Sequence, residues 1–202
     1  MAMEARVAAA QKQHVELYRK LRLRRQLLGL AEEGAAYVPF IGDGDIAVEL
    51  YSDRRIYGAD LDPGRVAVAQ SRLQGKIIVA DCDRWPFPGL EETFAVADFD
   101  AYSNPYAAFR AFWAGGGKAD TLVLFFTDGH KQGIMRTGHW HKPDGTKQFL
   151  KTANERRAAF NFYFPRHVRP WLEEFIRPYR VDQLKFYLRG MMLYWGALVR
   201  RG

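Results

Sequence analysis

The stretch Ala35-Ala36-Tyr37-Val38-Pro39-Phe40-Ile41-Gly42-Asp43-Gly44 carries an apolar run straight into a glycine turn, and Asp45 to Tyr51 then resumes with helical spacing. The reading is strand, turn, helix: a short apolar run bounded by Gly suits a buried strand, and two glycines one residue apart let the chain turn tightly. Working outward, the same step repeats. Arg55 to Ala59 predicts a second strand ending in Asp60-Leu61-Asp62-Pro63, and Pro63, its φ already set for a helix, opens a helix over Gly64 to Leu73. Lys76 to Ala80 predicts a third strand closed by Asp81-Cys82-Asp83. Thr93 to Phe99 predicts a fourth, Pro105 to Ala114 a helix, and Thr121 to Phe126 a fifth strand closed by Thr127-Asp128-Gly129. This alternation implies βαβ units and a parallel sheet covered by helices on both faces. Helices follow at Thr152 to Asn161 and Pro170 to Ile176, and Val181 to Arg189 with Met191 to Val199 predicts an antiparallel pair turning at Gly190.

The chain has 202 residues, the length of one domain with at most a short appendage. Its 48% hydrophobic and 26% charged residues exclude intrinsic disorder, collagen-like repeats and a disulfide scaffold. Cys82 is the single cysteine, which fits a reducing compartment, so a cytoplasmic protein is expected. No run approaches the ~18 apolar residues of a membrane span, and no membrane association is expected. Lys and Arg number 30 against 23 Asp and Glu, a net charge of +7 that suits a polyanionic partner and equally a merely soluble protein.

The basic residues gather in two places. Glu4 to Leu30 predicts a long helix with an apolar stripe through Val7, Ala10, His14, Leu17, Leu21 and Leu28, set apart as an N-terminal extension (1–33) from the main domain (34–202). Its second half carries Arg22, Arg24 and Arg25, read either as a solvated face that favours the helix dipole or as a contact to nucleic acid. Gly129 to Lys147 predicts a basic loop whose Lys131, Arg136 and Lys142 can meet phosphates and whose Trp140 can stack on a base. His139-Trp140-His141 lacks the further Cys or His ligands of a metal site, and no metal is expected.

The acids decide where to look for function. Asp60, Asp81, Asp98, Asp100 and Asp128 all stand at or just beyond predicted strand ends, the edge along which open α/β sheets bind ligands. Helix N-capping explains single cases but not the series well. Asp60 follows Gly42 by 18 residues, a spacing at which a carboxylate reaches both hydroxyls of a ribose while the glycine turn lets the ligand approach the backbone. An adenosine-containing ligand is the expectation.

Taken in order, Pro39 to Gly44, Gly58-Ala59-Asp60-Leu61-Asp62-Pro63, Ala80-Asp81-Cys82 and Asp98-Phe99-Asp100 resemble the class I S-adenosylmethionine-dependent methyltransferases. The resemblance implies a Rossmann-like, seven-stranded mixed sheet with helices on both faces. It implies S-adenosylmethionine as cofactor, bound by Pro39, Phe40, Gly42, Asp43, Gly44, Asp60, Leu61, Asp81, Cys82 and Asp98, with Asp60 on the ribose and Asp81 and the Cys82 backbone at the adenine. Asp98-Phe99-Asp100-Ala101-Tyr102-Ser103-Asn104-Pro105 further resembles the Asp-x-Asp-Pro-Phe/Tyr-Gly-Ser/Thr-Pro motif of the tRNA guanine-N2 dimethyltransferases, with Ala101, Ser103 and Asn104 departing from it. That likeness implies catalytic roles for Asp100, Tyr102 and Asp98: Asp100 on the acceptor amine, Tyr102 stacked on the base, Asp98 toward the cofactor. Methyl transfer to an amino nitrogen of a nucleic-acid base is the expected activity, tRNA guanine ahead of DNA adenine. A small-molecule or protein acceptor, or a binding module without chemistry, stays open.

Overall fold

The alternation is realised in a computed structural model that describes residues 17–101 and 104–202. Helix α1 covers 17–28. Then come β1 (Ala35–Pro39), α2 (Asp45–Leu50), β2 (Ile56–Asp60), α3 (Pro63–Arg72), β3 (Gly75–Val79), β4 (Thr93–Phe99), α4 (Tyr106–Gly115) and β5 (Gly117–Asp128). The chain continues with α5 (His130–Thr137), β6 (His139–His141), β7 (Lys147–Phe149), α6 (Ala153–Asn161), a π-helical turn (Phe164–Val168), α7 (Arg169–Phe175), β8 (Tyr179–Arg189) and β9 (Met192–Arg201). Seven strands make one sheet in the order β3-β2-β1-β4-β5-β9-β8; the first five run parallel, and β9 lies antiparallel to both neighbours.

Local chemistry accounts for the element starts. Asp62 caps α3 by accepting from the Gly64 and Arg65 amides at 2.8 and 3.2 Å, and Pro63 fills the first turn, where no amide donor is needed. Thr152 and Glu155 form a reciprocal capping box on α6. Along β5 the side chains alternate between two cores. Leu122, Leu124 and Phe126 point to one face, with Tyr37, Phe99, Phe112 and Trp195; Val123 and Phe125 point to the other, with Val38, Ile41, Ile56 and Leu198. Phe126 and Trp195 stack at 3.9 Å between centroids, joining β5 to β9 on the first face.

Two expectations are corrected. The basic loop of 129–147 is α5 followed by an antiparallel ribbon of β6 and β7, anchored by the buried Ile134 and Trp140 and closed off from the helix by Gly138 at φ 72°. Arg24 lies on no solvated face. It is fully buried, and its guanidinium grips Asp98 with both Nε and Nη2 at 2.6 Å, while the Tyr51 hydroxyl donates to the same carboxylate at 2.7 Å. Leu21 and Leu27 of α1 enter the core beside this pair. Arg22 and Arg25 are exposed, and Arg25 pairs with Glu49.

Breaking a buried ion pair strands the surviving charge. Arg24→Met should therefore lower stability by about 3–5 kcal/mol, a fall of roughly 6–20 °C in melting temperature. Arg24→Met with Asp98→Leu should recover most of the loss. Thermal unfolding of wild type, both single variants and the double variant measures this, and additive losses would mean that the two side chains act separately.

Candidate functional site

The turn after β1 is built from left-handed backbone: Phe40 has φ 60°, Gly42 54° and Gly44 82°. A Cβ on Gly44 would come within 2.9 Å of Leu73 Cδ1 and 3.4 Å of Ala69, so α3 packs closely there, and the left-handed backbone is what calls for glycine. Gly42 is different. The nearest atom to its missing Cβ is Arg65 Nη1 at 3.7 Å, which leaves its backbone open to a ligand. The Gly42 amide donates to Asp60 Oδ2 at 3.0 Å, and Asp60 Oδ1 accepts from the Asp62 amide at 3.0 Å, so the carboxylate at the end of β2 ties the turn to its neighbouring strand.

Beside this turn opens a cleft of about 630 Å³, at the carboxyl ends of β1 and β4 where the strand order reverses. Phe40, Gly42 and Asp43 form one wall, Asp100, Ala101 and Thr127 the floor, and Leu17, Lys20, Met192 and Tyr194 the opposite wall. Asp100 is the charged centre. It accepts from Lys20 Nζ at 2.8 and 2.9 Å and from the Thr127 hydroxyl, with Arg24 Nη2 3.7 Å away, and its side chain stays 20% exposed. Burial opposes its charge, yet Lys20 and Arg24 hold the carboxyl below the usual aspartate range, so it is ionised at neutral pH.

The other expected residues divide. Asp98 has no exposed surface of its own yet borders the cleft beside Asp100, and its oxygens accept from Arg24 and Tyr51, so it holds α1 in place. Tyr102 lies outside the described residues. Pro39 is buried at the end of β1. Leu61 stands 69% exposed next to Asp60. Asp81 is exposed and accepts from the Asp83 amide at 3.0 Å. Cys82 is buried, its Sγ facing the Ala59 carbonyl at 3.5 Å, and burial pushes the thiol up to about 11, which removes it as a nucleophile at neutral pH. Asp60 closes β2 with Leu61 after it, Asp81 and Cys82 follow β3, and none of the four lines the cleft itself.

Of the expected nucleic-acid contacts, Arg136 is exposed and Lys142 partly so. Trp140 is 2% exposed, packed against the rings of Tyr163 and His167, and cannot stack on a base. Lys131 is largely buried with Nζ 3.9 Å from the Phe160 ring centroid. A second polar cluster escaped the sequence reading. Buried Asp128 at the end of β5 accepts from the Tyr106 hydroxyl, from the Tyr163 hydroxyl at 2.7 Å and from the His130 amide at 2.8 Å. Burial raises its pKa in spite of these donors, and burial lowers that of His130. The cluster ties α4, the start of α5 and the start of the π-helical turn to one strand.

The same architecture is found in solved structures. An S-adenosylmethionine-dependent methyltransferase from Mesorhizobium loti matches with a TM-score of 0.55 at 14% identity, over 87% of this chain and 97% of that one. The chain has the Rossmann-like class I methyltransferase fold. TrmN from Thermus thermophilus matches with a TM-score of 0.51 at 16% identity, over 90% of this chain but 48% of that protein, so this chain spans about half its length. The plantazolicin methyltransferase BpumL in complex with SAH matches with a TM-score of 0.50 at 10% identity, over 90% of this chain and 82% of that one. No protein-family model and no curated protein matches the sequence. Within the fold, the cleft beside the glycine turn occupies the sheet edge where this architecture places its ligands. Among the described residues no helix is long and apolar enough to cross a membrane.

The Lys20 contact has a pH signature. Since Asp100 is depressed in the folded state, the pair adds stability that is complete above the ordinary aspartate value of about 3.9 and is lost as pH falls through the lower folded value. Lys20→Met should be less stable than wild type near neutrality, and urea unfolding from about pH 6 down to about pH 2 should show the two converging. A constant gap across that range would mean that Lys20 contributes only packing.

Proposed function

We propose that this chain transfers the methyl group of S-adenosylmethionine to an amino nitrogen of a nucleic-acid base, with tRNA guanine ahead of DNA adenine as acceptor. The observation that carries the reading is Asp100: an ionised, partly exposed carboxylate on the floor of a cleft bordered by an open-backboned glycine turn. The residues fit the cofactor. The cleft has the size of a small-molecule site, the backbone of Gly42 is open on that side, and Asp60, tied to the Gly42 amide, with the exposed Leu61 and Asp81 is proposed to carry the ribose and adenine. The solved BpumL complex with SAH supports the same cofactor class.

When bound, the cofactor supplies an electrophilic methyl on a sulfonium, so the protein has little covalent work to do. Asp100 accepts a hydrogen bond from one amino hydrogen, turns the nitrogen lone pair toward the methyl, and takes the proton that leaves as the N–C bond forms. Thr127 and Lys20 fix the carboxylate in this attitude. Tyr102, two residues beyond Asp100, is proposed as the stacking partner of the base, and exposed Arg22, Arg25 and Arg136 with Lys142 as phosphate contacts. Charge supports a polyanionic acceptor: residues 129–202 carry fifteen Lys and Arg against five Asp and Glu, while residues 1–128 carry fifteen against eighteen. A cytoplasmic location in tRNA processing accords with these choices.

Labelled S-adenosylmethionine incubated with bulk tRNA, bulk DNA and bulk protein is expected to mark tRNA most strongly. Asp100→Asn should lower the transfer rate by about 10²–10⁴-fold while calorimetry shows cofactor binding retained. Cofactor binding without incorporation into either nucleic acid would overturn the acceptor, and absence of cofactor binding would overturn the reading altogether.

A further inference from the structure

The ribbon of β6 and β7 has two unlike faces. Its register sets His139 opposite Phe149, Trp140 opposite Gln148 and His141 opposite Lys147, and since side chains alternate along a strand, Trp140 and Gln148 share one face and the other four share the second. Trp140 points inward, against Tyr163 and His167. His139, His141, Lys147 and Phe149 are all exposed. Burying Trp140 thus presents a different ring, Phe149, with 50% of its surface open.

The ribbon is held from behind and keeps its charge in front. Arg110 donates to the Pro143 carbonyl, Arg156 Nε to the Leu150 carbonyl at 3.0 Å, and the Leu150 amide to the Gly138 carbonyl at 2.9 Å. Residues 129–151 carry Lys131, Arg136, Lys142, Lys147 and Lys151 against a single acid, Asp144. Lys131 is buried on the Phe160 ring. The other four make no ion pair among the described residues, and Arg136, Lys147 and Lys151 are exposed. Asp144 is folded back into the turn, its Oδ1 accepting from the Thr146 amide at 2.8 Å and the Thr146 hydroxyl at 2.7 Å. Phe149 rests beside the His139 ring, centroids 4.6 Å apart and planes 33° apart, and the face holds no other apolar side chain. Helix α5 joins this ribbon to the cleft: Gln132 borders the cleft and His139 opens β6 seven residues on, a rise of roughly 10 Å at helical spacing.

We infer that the outer face of the β6–β7 ribbon docks single-stranded nucleic acid, with an unpaired base stacked on Phe149 and Lys147, flanked by Lys142 and Lys151, on the phosphates. The inference shares the nucleic-acid partner of the proposed activity and adds a docking surface outside the cleft. Charge and ring together choose the occupant. A base needs one flat aromatic face and nearby cations for its phosphates, and only an unpaired base has a face free to stack. An apolar protein partner would need a contiguous apolar patch, where this face has one ring among cations and imidazoles. A second copy of the chain would set Lys147 against like charge.

The test is binding of a fluorescein-labelled 15-nucleotide oligouridylate, a 15-base-pair RNA duplex and poly-glutamate to the full chain, read by anisotropy at two salt concentrations. The single strand is expected to bind most tightly, and more weakly with added salt. Phe149→Ala should lose about tenfold in affinity for it, the size of one lost stacking contact; Phe149→Trp should keep the affinity, and Phe149→Leu, apolar but without a π face, should not. Lys147→Gln should flatten the slope of log affinity against log salt by roughly one. Unchanged affinity in Phe149→Ala, full affinity in Phe149→Leu or an unaltered slope in Lys147→Gln each overturns the surface, and methyl incorporation into nucleic acid by the same protein would leave the proposed activity standing without it. Poly-glutamate binding with the same dependence on Phe149 overturns it in favour of an acidic protein partner. Single-strand binding that depends on Phe149, without methyl incorporation, supports the surface and overturns the acceptor alone.

Discussion

Everything around the cleft depends on one buried ion pair, Arg24 with Asp98. The pair has no exposed surface on either side chain, and a charge stripped of water is tolerable only when its partner meets it with good geometry. Here the guanidinium offers two parallel donors and Tyr51 supplies a third. Burial alone would discharge Arg24; Asp98, with Asp100 and Tyr51 behind it, instead raises its pKa. The consequence is positional. Lys20 lies one helical turn before Arg24, so fixing Arg24 delivers Lys20 to Asp100 and sets α1 as a wall of the cleft.

That arrangement divides two aspartates two residues apart in β4 and its exit. On a strand such neighbours share a face, and both turn toward α1 and border the cleft; depth then separates them, Asp98 fully buried in its ion pair, Asp100 partly wet. A motif alone treats them as equivalent carboxylates. Burial assigns them different work.

The sheet was legible because its signals are local. Apolar runs ending in Gly, Asp or Pro mark each strand and turn, and the strand ends fall within a few residues of where the pattern puts them. Helix α5 was not legible, since only Ile134 and Lys131 of its eight residues turn inward and the surrounding Gly, His and Lys read as a loop. Arg24 and Trp140 were misread for a related reason. A basic or aromatic side chain looks like a surface group until its partner is known, and the partners Asp98 and Tyr163 lie far along the chain. The same long range hid Tyr51, Lys20 and the donors around Asp128. Periodicity reports which residues face inward; it carries no information about which two distant polar groups meet.

The buried thiol of Cys82 gives the protein a built-in reporter. It is the sole cysteine, buried just beyond β3 against the Ala59 carbonyl, with its proton held far more tightly than that of a free thiol. Alkylating reagents therefore meet a reactive sulfur only in molecules whose β2–β3 edge has opened. The labelling rate counts those excursions, and a ligand resting over Asp60 and Asp81 slows the count in proportion to how firmly it holds that edge shut.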